Sequence, residues 1–207
     1  MVHSASSKRW LRRHVTDHYV KQARGQGYRS RAAFKLIEID EKDHLLKPGV
    51  RVLDLGAAPG GWSQVAARKV LPAGRVVAVD LLDIAPISGV TSVKGDFREA
   101  AVRAKLIEAL GAERADVVLS DISANVTGIA SVDQARAAEL LRGVVDFCRV
   151  SLNPQGVLLV KMFQGEAFAG VLAELKGAFI AVQTRKPGAS RGESRELYLL
   201  ARGLRAC

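Results

Sequence analysis

Val50-Arg51-Val52-Leu53-Asp54-Leu55-Gly56-Ala57-Ala58-Pro59-Gly60-Gly61-Trp62 is the stretch on which the reading of this chain turns. Lys47-Pro48-Gly49 breaks the chain just before it. Val50 to Leu55 then reads as a buried strand, running into a Gly-rich turn, and a helix follows over roughly 61–70. Ligands of open α/β sheets bind outside the C-terminal ends of strands. Glycines at such an end let a ligand approach the backbone, because no Cβ intervenes. The turn is not the dinucleotide pattern. Ala58 stands where G-x-G-x-x-G requires its second Gly, and Pro59 lies inside the turn. A nicotinamide cofactor is therefore disfavoured.

Outward from this turn, strands and helices alternate. Ser30 is the expected N-cap of a helix over roughly 31–42, with Ala33, Leu36 and Ile37 at helical spacing. Arg75 to Asp80 reads as a second strand and Thr91 to Gly95 as a third, followed by a helix over roughly 98–110. Ala115 to Ser120 is a fourth strand, followed by a helix over roughly 131–152, then a fifth strand from Gly156 to Phe163 and a helix over roughly 164–176. Two last strands fit roughly 178–185 and 195–202, with Lys186-Pro187-Gly188 starting the turn between them. Alternating β and α elements with continuous apolar strands indicate a parallel sheet covered on both faces. The final loop is too short for a crossover helix, so the last pair is expected to be antiparallel.

The 207 residues allow one sizeable core and not two ordinary domains. No apolar run is long enough for a membrane span, and no apolar segment near the N-terminus reads as a secretory signal. Cys148 and Cys207 suggest no disulfide framework, so a reducing cytoplasm is expected. The net charge is +10, and residues 1–35 hold nine Lys or Arg against one acid, Asp17. That arm carries +8 of the total, which points to a polyanionic partner. A solvated tail and a mitochondrial transit peptide are the alternatives. The interleaved aromatics Trp10, Tyr19 and Tyr28 favour an RNA surface, since bases stack on such rings.

Two further acids indicate a nucleoside ligand. Asp80 ends the second strand, where a carboxylate can accept from both ribose hydroxyls. Asp96, in Gly95-Asp96-Phe97, follows the third and is placed to accept from an adenine amino group. From about Ser7 to Arg202 the chain resembles the FtsJ/RrmJ-type family of ribosomal RNA 2′-O-ribose methyltransferases. The stretches that carry the resemblance are Ser30-Arg31-Ala32-Ala33-Phe34-Lys35-Leu36, Asp54 to Trp62, Lys94-Gly95-Asp96-Phe97-Arg98, Val160 to Glu166, and Arg185-Lys186-Pro187 with Ser194-Arg195-Glu196-Leu197-Tyr198. The resemblance implies a single Rossmann-like class I methyltransferase domain over 29–207, preceded by an RNA-binding arm over 1–28. It implies a mostly parallel seven-stranded α/β sheet with an antiparallel C-terminal strand. It also implies S-adenosylmethionine as cofactor, held by Gly60, Trp62, Asp80, Asp96 and Asp121.

The family's Lys-Asp-Lys-Glu tetrad falls on Lys35, Asp121, Lys161 and Glu196. Lys161 lies in an otherwise apolar strand, where an ammonium is costly to desolvate and needs an explanation. Methyl transfer to a 2′-oxygen requires in-line alignment and a base for the hydroxyl proton. A neighbouring cation and partial burial favour a neutral lysine. Lys161 is assigned as that base, Lys35 as the neighbouring cation, Asp121 as its orienter, and Glu196 as the group that positions Lys35 or the ribose. The family's fourth-strand motif usually reads Asp-Met-Ala-Pro-Asn. Here it is Asp121-Ile122-Ser123-Ala124-Asn125, without the proline.

His14 and His18 are four apart, but no acid or Cys cluster accompanies them, so no metal site is expected. Arg185, Lys186, Arg191 and Arg195 precede Glu196 and read as phosphate contacts or as a solvated hairpin. The compact length favours a bacterial type that methylates a uridine in large-subunit ribosomal RNA, as a monomer with no membrane association. Transfer RNA, organellar ribosomal RNA and a non-catalytic role in ribosome assembly are the competing readings.

Overall fold

The computed structural model describes residues 17–123, 127–190 and 194–206. These form six helices, α1 (His18–Gly25), α2 (Ala32–Asp43), α3 (Gly61–Val70), α4 (Ala100–Ala109), α5 (Ala130–Ser151) and α6 (Phe168–Ala178). The strands are β1 (Arg51–Leu55), β2 (Arg75–Asp80), β3 (Val90–Lys94), β4 (Ala115–Ser120), β5 (Leu152–Phe163), β6 (Phe179–Arg185) and β7 (Glu196–Leu204). They make one sheet in the order β3-β2-β1-β4-β5-β7-β6. The first five strands are parallel, and β7 runs antiparallel between β5 and β6. The expected mostly parallel sheet with an antiparallel C-terminal strand is what forms. Among the described residues no helix is long and apolar enough to cross a membrane.

The period of two along each strand separates two cores. Leu53, Leu55, Val77, Val79, Val118, Leu158 and Val160 pack under α4, α5 and α6. Val52, Val76, Val117, Leu119 and Leu159 pack under α2 and α3. Leu53, Leu55, Leu119, Leu158 and Leu159 are fully buried, and burying a side chain of this size contributes about 1.5–3 kcal/mol. Asp54, Asp80, Asp121, Lys161, Glu196 and Tyr198 share the parity of the second set. The sheet therefore directs these six residues to the side covered by α2 and α3.

Two local expectations need correction. Ser30 is not the N-cap of α2. Arg31 holds that position with no side-chain cap bond, and Ser30 contributes only its carbonyl, accepting from the Ala33 N–H at 3.3 Å. The fifth strand begins at Leu152 and not at Gly156. Its register against β4 jumps from Ala115↔Leu152 to Val117↔Val157, and this bulge absorbs Pro154, which cannot donate to a ladder.

The basic arm is in part a packed element. Asp17 caps α1 by accepting the Tyr19 N–H at 3.0 Å, and Val20 and Ala23 are buried. Ala23 joins Phe34 of α2 and Ala189 of the β6–β7 loop in a small third core. Tyr19 and Tyr28 lie half-buried against Phe34, with ring centroids 5.6 and 5.7 Å from it. These two rings are thus committed to packing and are not free stacking platforms. Trp10 and His14 lie outside the described residues.

Candidate active site

The Gly-rich turn hangs from β2. The Gly56 and Ala57 N–H groups both donate to the Val79 carbonyl, at 2.8 and 3.1 Å. Gly56 has φ +71°, and a Cβ there would lie 2.1 Å from Ile122 Cγ1, so only glycine fits. Gly60, at φ +105°, starts α3. Asp80 supports the turn: one carboxylate oxygen accepts the Ala58 N–H at 2.9 Å and the other accepts the Leu82 N–H at 2.8 Å. Each oxygen keeps a lone pair for a further donor, as a ribose diol would need. Asp96 is already engaged. It accepts the Arg98 N–H and pairs with the Arg98 guanidinium at 2.6 Å, which holds its carboxyl below the usual range. Trp62 is almost fully buried, and its indole N–H donates to the Ala32 carbonyl at 2.7 Å. Its ring therefore props α2, and only its main chain remains to meet a ligand.

Below the turn lies Asp54, fully buried, accepting the Ser63 hydroxyl at 2.6 Å. Burial raises its carboxyl to about 7, and the charges of Asp121 and Asp80 push in the same direction. Folded Asp54 thus holds its proton at pH values where the unfolded side chain has lost it. Its contribution to stability is complete below about pH 4 and fades as pH rises to about 7, by roughly 4 kcal/mol in all. Asp54→Asn keeps an acceptor for Ser63 and removes the titration. Its melting temperature relative to the parent chain is expected to climb between pH 5 and pH 8. A pH-independent difference would contradict the buried, protonated state.

The four tetrad residues come together in two ion pairs. Lys161 Nζ donates to the Asp121 carbonyl at 2.7 Å and lies 3.2 Å from Asp121 Oδ1. Lys35 Nζ lies 2.6 Å from Glu196 Oε1. The register explains the meeting. Ser120 pairs with Val160, which sets Asp121 beside Lys161, and across β7 Lys161 faces Tyr198 while Phe163 faces Glu196. Lys35 arrives from α2, where Leu36 and Ile39 are buried in the same core as Tyr198. Burial alone would raise the Glu196 carboxyl. The Lys35 ammonium, aided by Lys161 and the Ser190 hydroxyl at 3.0 Å, overcomes this and holds it below the usual range.

Tyr198 links the pairs. Its hydroxyl donates to Asp121 Oδ1 at 2.8 Å, with Glu196 Oε1 at 3.4 Å. Burial, and then the charges of Asp121 and Glu196, raise the phenol well above its ordinary range, so it stays a neutral donor. The sequence reading gave Tyr198 no role. The available signal was a tyrosine inside the apolar run Leu197 to Ala201, where a buried hydroxyl needs a partner. One expected phosphate contact is committed elsewhere, since Arg185 pairs with Asp43 at 2.6 Å, whereas Lys186 is exposed and spends one donor on the Ser194 carbonyl at 3.2 Å. Arg195 is exposed, and Arg191, Ala124 and Asn125 lie outside the described residues. Among the described residues no cluster of His, Cys, Asp and Glu could hold a metal ion.

A parallel sheet closed by an inserted antiparallel strand, with a Gly-rich turn after β1 and acids at the ends of β2, β3 and β4, defines a Rossmann-like methyltransferase. The FtsJ-like methyltransferase family profile matches residues 28–204. The chain is 53% identical, over 99% of its length and 100% of the relative's, to ribosomal RNA large subunit methyltransferase E of Nitrosospira multiformis. It is 52% identical to the protein of the same name from Chromohalobacter salexigens, over 97% of this chain and 95% of that one. The crystal structure of a ribosomal RNA methyltransferase from Plasmodium falciparum superposes with a TM-score of 0.77 at 33% identity, covering 86% of this chain and 98% of that one. The chain belongs to the FtsJ-like methyltransferase family.

Proposed function

We propose that this enzyme transfers the methyl group of S-adenosylmethionine to a ribose 2′-hydroxyl, on a uridine, in large-subunit ribosomal RNA. The observation that carries this reading is the pair of lysine–carboxylate bridges, joined through Tyr198, beside the Gly-rich turn. S-adenosylmethionine, when bound, supplies a methyl group activated by an adjacent sulfonium charge. The crevice suits a cationic nucleoside. Gly60 and the Trp62 main chain allow close approach, Asp80 offers two acceptor oxygens, Asp96 adds an acceptor at the end of β3, and Asp121 adds negative charge.

Lys161 is the base in this reading. Two anchors on Asp121 fix its Nζ, and in the neutral form its remaining lone pair accepts the 2′-hydroxyl proton. Lys35, tied to Glu196, is the neighbouring cation, and Glu196 holds it at a fixed distance from the ribose. Residues 1–28 serve as the RNA-binding arm, their cations contacting phosphates without reading sequence. The enzyme acts as a monomer in the cytoplasm. A fold kept only for binding RNA has no use for both ion pairs.

The test is methyl transfer from labelled cofactor to ribosomal particles from a strain lacking the enzyme, with nucleotide mapping. One ribose of the large-subunit RNA should acquire a label that survives alkaline hydrolysis. Label on a base, or on transfer RNA alone, would defeat the reading.

A further inference from the structure

Arg29 counts among the nine cations of residues 1–35, which composition alone assigns to phosphate contact. Its surroundings give it a different task. Gln64 of α3 fixes the backbone on both sides of Tyr28: its side-chain carbonyl accepts the Arg29 N–H at 2.8 Å, and its amide donates to the Gly27 carbonyl at 3.0 Å. So held, the Arg29 guanidinium donates to three carbonyls. Nη1 reaches Pro59 at 3.1 Å and Ala85 at 2.5 Å, and Nη2 reaches Pro86 at 2.6 Å. Pro59 belongs to the Gly-rich turn, whereas Ala85 and Pro86 belong to the loop between Asp80 and β3. That loop exposes Leu81 and Leu82, and packing there contributes little to its placement. It nevertheless lies close against the turn: a Cβ on Gly60 would come within 2.6 Å of Ile87 Cδ1, 3.1 Å of Arg29 Nη1 and 3.4 Å of Ile84 Cγ2.

We infer that Arg29 is a positioning residue for the cofactor site, clasping the Gly-rich turn to the loop after Asp80 and tying both to the segment that leads into α2. The guanidinium suits this task because its planar fork presents several donors at fixed angles, and a lysine ammonium cannot span the same three acceptors. This inference rests on the reading of the crevice as the S-adenosylmethionine site.

The experiment compares Arg29→Lys and Arg29→Met with the parent enzyme in the full chain. Arg29→Lys keeps the charge and loses the clasp. Its dissociation constant for S-adenosylmethionine, measured by calorimetry, and its KM for that cofactor are expected to rise about tenfold, the scale of charge-assisted hydrogen bonds lost. At saturating cofactor, kcat is expected to stay within about twofold, because the base and its partners are untouched. The salt dependence of binding to large-subunit ribosomal RNA should not change in either variant, because these Arg29 donors face carbonyls and make no phosphate contact whose loss would alter counterion release. An unchanged cofactor affinity in Arg29→Lys, with a flatter salt dependence in Arg29→Met, would make Arg29 a phosphate contact and overturn the clasp. A lower melting temperature of the cofactor-free protein with unaltered cofactor affinity would also overturn it, by reducing Arg29 to a structural tie. Failure of the parent enzyme to bind S-adenosylmethionine would overturn the clasp together with the functional reading beneath it. Binding of that cofactor without methyl transfer to a 2′-hydroxyl would defeat the functional reading alone.

Discussion

Lys161→Ala is expected to bind cofactor and RNA nearly as the parent enzyme does and to lose methyl transfer by about 100-fold or more, the usual scale for removal of a general base. The fold should tolerate the change. Asp121 is partly exposed and keeps the Tyr198 hydroxyl at 2.8 Å, so no bare carboxylate is left in the core. Lys161→Arg should not rescue the reaction, since a guanidinium stays protonated and cannot accept the 2′-hydroxyl proton. A variant with near-parental single-turnover rates would remove Lys161 from the chemistry and leave either Lys35 as the base or a reaction that needs no side-chain base.

Asp80→Ala should lose most cofactor affinity. The carboxylate holds the Ala58 and Leu82 N–H groups at 2.9 and 2.8 Å, and in the proposed site its remaining lone pairs are the acceptors for the ribose. Its removal therefore withdraws the ligand's acceptor and loosens the turn that surrounds the ligand. A cofactor at a hundredfold excess over its dissociation constant stabilises the native state by about 2.7 kcal/mol. If the variant binds roughly 100-fold more weakly, the same concentration contributes only about 0.4 kcal/mol. The measurement is the cofactor-induced shift in melting temperature for the two proteins. Equal shifts would place the nucleoside elsewhere.

Much of this architecture was legible in the residues. Strands β1, β2 and β4 are short, largely apolar runs, β5 holds the apolar run Val157 to Val160, and the brief connection across Pro187 required the last pair to be antiparallel. Parity along the strands would also have put Asp54, Asp80, Asp121 and Lys161 on one face. What stayed hidden depended on tertiary partners. Nothing near Arg185 in the chain points to Asp43, which lies 142 residues away. Tyr19 and Tyr28 carry the composition of an RNA surface, and their packing on Phe34 becomes visible only once α1 is docked. Tyr198 gained a role only when register set it opposite Lys161. Ser30 has the right chemistry for a cap, but the helix starts one residue later, and local preference yields to the docking of α2 on α3.

The insertion of β7 between β5 and β6 sets a timetable for biosynthesis. Domains generally fold as units once enough of the chain has left the ribosome. A nascent chain that has emerged only through β6 contains the cofactor turn, Lys35, Asp121 and Lys161. Its β5 still presents an open edge, and it lacks both Glu196 and Tyr198. Such an edge is a template for intermolecular pairing until it is covered. The seven residue pairs between β5 and β7 close it with the same nine-residue segment that carries Glu196 and Tyr198 to the proposed site. Protection from aggregation and competence for chemistry are therefore gained in one late step of synthesis, and a product truncated before Glu196 has neither.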